Sequence, residues 1–105
     1  MLDDERDERL TTRDKNRQIP CFVSKARSEL FKAKTDRKPL LTVEAFQLAV
    51  EGRTAARNHW LGKLSALTED SIREVFNNVP SSCISDIARE FATLMVMENR
   101  RRLLE

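Results

Sequence analysis

Apolar residues in this chain recur at every third or fourth position, and no stretch alternates steadily between apolar and polar. That spacing predicts helices. The clearest comes last, where Ile84, Ile87, Ala88, Phe91, Leu94 and Met95 form one continuous stripe. Ser85 stands ready to cap its start, and Asp86 falls in its first turn. Before it, Ile72, Val75, Phe76 and Val79 repeat the spacing after a cap at Thr68, with Glu69 and Asp70 in the first turn and Pro80 as the stop. A longer run opens at Thr42 and Glu44, continues through Val43, Phe46, Ala49 and Val50, and resumes at Trp60, Leu61 and Leu64. Gly52 and Gly62 each weaken that run by up to ~1 kcal/mol relative to alanine, so each marks a kink or a close packing contact. The thinnest element is a short helix over 25–34, entered at Pro20 and capped by Ser24, with only Leu30 and Phe31 as large apolar residues. Asp36 to Pro39 reads as a connector, because a residue preceding proline is driven out of helical geometry.

The expected fold is therefore all-α: a small bundle of three to four helices over residues 19–105, with Phe46, Trp60, Ile72, Phe76 and Phe91 in its core. A length of 105 residues suits one domain. Residues 1–18 carry six acids and five bases, and their only large apolar residues are Met1, Leu2 and Leu10. So little apolar surface does not offset the entropy of ordering, which makes this segment a charged, mobile flank in expectation.

Charge refines the picture only locally. The net charge is +2, but Ile19 to Leu41 holds six bases against two acids, while Thr42 to Glu105 holds eight bases against nine acids. The basic stretch reads first as a solvated helix face, and second as a contact for an acidic partner or phosphates. No run approaches the ~18 apolar residues of a membrane span. The acidic start has no apolar run, so it does not read as a secretory signal. Cys21 and Cys83 lie beside apolar neighbours without metal-ligand spacing, and are expected as small buried hydrophobes in a reducing cytoplasm.

Candidate chemistry is sparse. His59 is the only histidine, and its neighbours one helical turn away are Ala55 and Lys63, so no carboxylate orients its ring. Neither a metal cluster nor a glycine-rich phosphate loop is present, which predicts no cofactor and no complete catalytic site. Arg100, Arg101 and Arg102 would spread over about 200° of a helix, too wide for one base-reading face, so nucleic-acid binding is disfavoured. Trp60 is expected as a bundle anchor, and as a strong binding hot spot if it is exposed. The candidate partner-binding residues are thus Trp60, Arg100, Arg101 and Arg102.

From about Ala45 to Leu104, the run HWLGKLSALTEDSIREVFNNVPSSCISDIAREFATLMVMENRRRLL sets out a Trp-bearing helix, LT, a short helix ending in VP, a brief loop and a long helix ending in NRRRLL. That order resembles the C-terminal helical region of HipA-like kinase proteins. The resemblance implies a helical region that packs against a kinase core without carrying its chemistry. The kinase machinery of catalytic aspartate, magnesium ligands and phosphate-binding lysine has no counterpart ahead of Ala45, so no catalytic residue carries over. The expected function is a non-enzymatic helical interaction module that docks on a larger protein, with a kinase-like protein as one candidate. One alternative is the truncated C-terminal part of a HipA-like phosphotransferase lacking its catalytic half. A second is a small nucleic-acid-binding regulator.

Overall fold

A computed structural model describes all 105 residues, Met1–Glu105, as six helices without a sheet. They are α1 (Asp3–Thr11), α2 (Ile19–Ser24), α3 (Thr42–Ala49), α4 (Thr54–Ala66), α5 (Glu69–Asn77) and α6 (Asp86–Leu104). Each of the first five packs against α6, and they make almost no contact with one another. The longest amphipathic stripe in the sequence therefore serves as an axle for the rest. No helix is long and apolar enough to cross a membrane.

The caps read from the sequence are in place where a hydroxyl precedes an apolar repeat. Ser85 accepts from the Ala88 amide at 3.1 Å, opening α6. Thr68 accepts from the Ser71 amide at 3.1 Å, and the Ser71 hydroxyl accepts from the Thr68 amide at 2.9 Å, a reciprocal box that opens α5. At α3 the role shifts by one residue. Leu41 is the cap position, and its amide donates to the Glu44 carboxylate at 3.2 Å, while the Thr42 hydroxyl reaches back to the Ala26 carbonyl.

Several expectations need correction. The long run from Thr42 is two helices, because Gly52 adopts φ +70 and turns the chain between α3 and α4. Gly62 stays helical with nothing near its α-carbon, so it is neither a kink nor a packing contact. The helix expected over 25–34 is absent, and α2 ends where it would have begun. Residues 25–41 fold back on themselves instead, through Ser28 amide to Leu40 carbonyl and Leu40 amide to Leu30 carbonyl, both 2.8 Å, and a bridge between Arg27 and Leu41. Leu30 and Phe31 remain exposed, so that helix had no apolar face to bury.

Part of the charged flank is helical. Residues Asp3–Thr11 form α1 against α6, with Asp3, Asp4 and Glu5 in the first turn and Arg9 in the last, as the helix dipole favours. Ion pairs Arg6–Asp3 (2.6 Å), Arg9–Glu5 (3.2 Å) and Arg17–Glu8 (2.6 Å) hold it together. Its anchor is small but well placed. Leu10 packs on the core, and the Arg9 guanidinium lies 4.5 Å over the Phe22 ring.

The core is thin. Ile19, Val23 and Phe91 are buried together, with Leu10, Phe22, Leu94 and Met95 around them and Phe22 edge-on to Phe91 at 5.7 Å. Of the expected core stripe, Ile72 and Phe91 are buried, Phe46 and Phe76 are half-buried, and Trp60 faces solvent. The cysteines are not buried either: Cys21 is half-exposed and Cys83 exposed. Only 5 of 105 residues are fully buried, and the shape is correspondingly open. The radius of gyration is 15.7 Å, whereas a compact chain of this length has about 13 Å. Accessible surface is 7812 Å², against about 6,100 Å² for a compact monomer of this mass, an excess of about 1,700 Å².

Candidate docking surface

Arginines do much of the work of attaching helices to the axle. Arg100 donates to the carbonyls of Leu64 (3.2 Å) and Ser65 (2.9 Å), tying the carboxyl end of α4 to α6 and meeting its dipole. Arg102 donates to the Pro20 carbonyl at 3.0 Å and to Glu98 at 2.9 Å, linking α2 to α6. Arg101 bonds only within its own helix, to Glu98 at 2.8 Å. Arg89 performs the same service for α5, donating to the carbonyls of Phe76 and Val79. Arg73 grips Glu90 across the α5–α6 junction at 2.7 Å. The three arginines expected to meet a partner are thus dispersed, and two of them are committed to backbone carbonyls inside the fold.

These contacts shift acidities in a consistent direction. Arg73 beside Glu90 holds that carboxyl below its usual range. Arg101, then Arg102, does the same for Glu98. The Ser85 hydroxyl, then Arg6, lowers Asp3. Glu90 and Glu98 act as charged struts of α6.

Trp60 sits apart from this framework. It is 60% exposed and edge-on to His59, ring centres 5.1 Å apart. All of Glu51 to Trp60 is exposed, and within α4 only Leu61 and Leu64 are even half-buried. At about 100° per residue those two leucines share the side turned to the body. Ala55, His59, Gly62 and Ala66 then lie opposite, with Ala56, Trp60, Lys63 and Leu67 on the flank. The outward half of α4 is accordingly made of small and aromatic residues with a single charge. Across the whole of α4, six of thirteen residues are polar (Thr54, Arg57, Asn58, His59, Lys63 and Ser65), so the helix is of mixed character. It projects into solvent, held by one end.

Its charge is also one-sided. From Gly52 to Thr68 there are three bases, Arg53, Arg57 and Lys63, and no acid. All three are exposed and none pairs with a carboxylate. This acid-free run was visible in the sequence, but the sequence did not tell which side of α4 would be left uncovered.

A second feature lies along the first half of α6. A cleft of 640 Å³ opens between α1, α2 and the first half of α6, walled by Phe22, Ile84, Ala88, Phe91 and Met95, with Asp3 and Arg6 beside them. Along its edge runs α1, with five acids and two bases. Among those acids Asp4 and Asp7 are exposed and free of ion pairs. No sequence spacing announced this cleft, since its walls come from three helices. No three His, Cys, Asp or Glu side chains converge as a metal site would require.

No family model matches this chain, and comparison with curated proteins and with solved structures finds no similar protein. The HipA-like resemblance therefore rests on its own residues.

Proposed function

We propose that this chain is a non-enzymatic helical interaction module that docks on a protein partner through α4. One observation carries the reading: a 13-residue helix with Trp60 exposed among small residues, in a molecule with about 1,700 Å² more surface than its mass requires. A helix of that length is marginal in water unless something covers it. An exposed tryptophan among small residues, ringed by unpaired cations, is the composition of a docking hot spot. Under the HipA-like resemblance the covering body would be a kinase-like core. Nucleic acid suits the face less well, because Ala55, Ala56 and Gly62 separate the three cations and offer nothing to phosphates.

A photo-crosslinking residue in place of His59, in the full chain within its native cell, tests the reading. A protein adduct is expected there and not from the same group in place of the exposed Asp70 on α5. Nucleic-acid adducts at position 59, or equal labelling from both positions, would remove the docking role from α4.

A further inference from the structure

The uncovered helix offers a large apolar side chain and free bases, and the open cleft offers apolar walls beside an acidic helix. The α4 region from Arg53 to Ala66 carries three bases and no acid; α1, which borders the cleft, carries five acids and two bases. Three of those acids already pair with Arg6, Arg9 and Arg17, which leaves Asp4 and Asp7 unpaired against the three free bases. The cleft's 640 Å³ falls within the range of pockets that enclose a drug-sized group, and its walls are mostly apolar. Trp60 is the largest exposed apolar side chain, and the one best suited to fill such a cleft.

We infer that the partner seated on α4 is a second copy of this chain. Trp60 of each copy enters the cleft between α1 and α6 of the other, and Arg53, Arg57 and Lys63 lie along the acids of α1. This rests on the docking reading above and names its occupant. Because every copy offers both a helix and a cleft, two reciprocal contacts close a two-fold pair and leave neither feature free. The area agrees. A standard contact covers about 800 Å² on each side, so two such contacts cover about 1,600 Å² per chain, close to the excess of about 1,700 Å². Total burial of about 3,400 Å² falls within the range of obligate homodimers. An open monomer with four buried apolar residues would gain in the pair the enclosure that it lacks alone.

Sedimentation of the full chain, with the emission of its single tryptophan followed across dilution, tests the pairing. The expected result is a species of twice 12.2 kDa whose Trp60 emission is blue-shifted and moves red as it dissociates. Trp60→Ala should weaken the pair about 30-fold or more, the effect of losing a hot spot. Arg57→Glu with Lys63→Glu in one chain, and Asp4→Lys with Asp7→Lys in another, should each weaken self-association. Mixing the two should restore a heterodimer through one matched contact. A monomer at about 100 μM, a dimer that survives Trp60→Ala, or mass that grows without closing would each overturn the inference. A monomer that still crosslinks through position 59 to a different protein would overturn the self-pairing and leave the docking role standing. A monomer with no adduct at position 59 would sink both.

Discussion

Gly52 and Gly62 invite the same substitution with opposite results. Neither has any non-neighbouring atom within 4 Å of where a β-carbon would stand, so alanine meets no steric obstacle at either position. What differs is the backbone. Gly62 lies inside α4 with ordinary helical geometry, where Gly→Ala stabilises by about 0.8–1 kcal/mol because glycine loses more freedom on folding. Gly52 sits at φ +70 between α3 and α4, a conformation that costs an L-residue roughly 1–2 kcal/mol. Part of that is offset, since alanine also narrows the unfolded ensemble by about 0.4–1 kcal/mol. The net expectation at Gly52→Ala is a loss of about 1 kcal/mol, and the two variants should differ by about 2 kcal/mol. For a chain of this size that separates their melting temperatures by about 8–16 °C. Thermal and urea unfolding followed by circular dichroism, with all proteins at one concentration, reads the difference directly. If both variants move the same way, the break between α3 and α4 is not a left-handed turn, and the free-standing reading of α4 loses its support.

Phe91, 4% exposed and at the centre of the apolar cluster, should cost about 3–5 kcal/mol on truncation to alanine, whereas Val75→Ala, at a side chain 65% exposed, should stay within about 0.5 kcal/mol. Denaturant titration of the two variants checks the contrast. Glu90, Glu98 and Asp3 all have folded-state pKa values below their usual ones, so over the interval between the two values the unfolded chain binds more protons. Stability from these groups should be complete above about pH 4–5 and fall as pH drops through the carboxylate range, and high salt should blunt the loss. Arg100→Ala removes both bonds to the end of α4; amide exchange in Leu61 to Ser65 should speed up while that of α6 stays slow. Unchanged protection would mean that Leu61 and Leu64 hold the helix without the arginine.

The spacing of apolar residues determined the class of fold and the places where its best helices begin. Ser85 and Thr68 cap as read, because a hydroxyl before a 3.6-residue repeat acts locally and needs no distant partner. Gly52 and Gly62 were marked alike as a kink or a packing contact, and only the fold separated them. The three-dimensional arrangement decided what local rules do not reach. The 25–34 segment held helical residues but no surface to lie on, so backbone bonds from Ser28 and Leu40 took over. Within the first eighteen residues, read as too polar to order, Asp3–Thr11 form a helix against α6, with Leu10 on the core and Arg9 over Phe22. Arg100 and Arg102 looked available for a partner, and became internal clamps because carbonyls of α4 and α2 end within their reach. Trp60 went the other way. Sequence placed it in a helix and marked it as an anchor, but whether an anchor points into its own core depends on how the neighbouring helices converge, and here they converge on α6 and leave it outside.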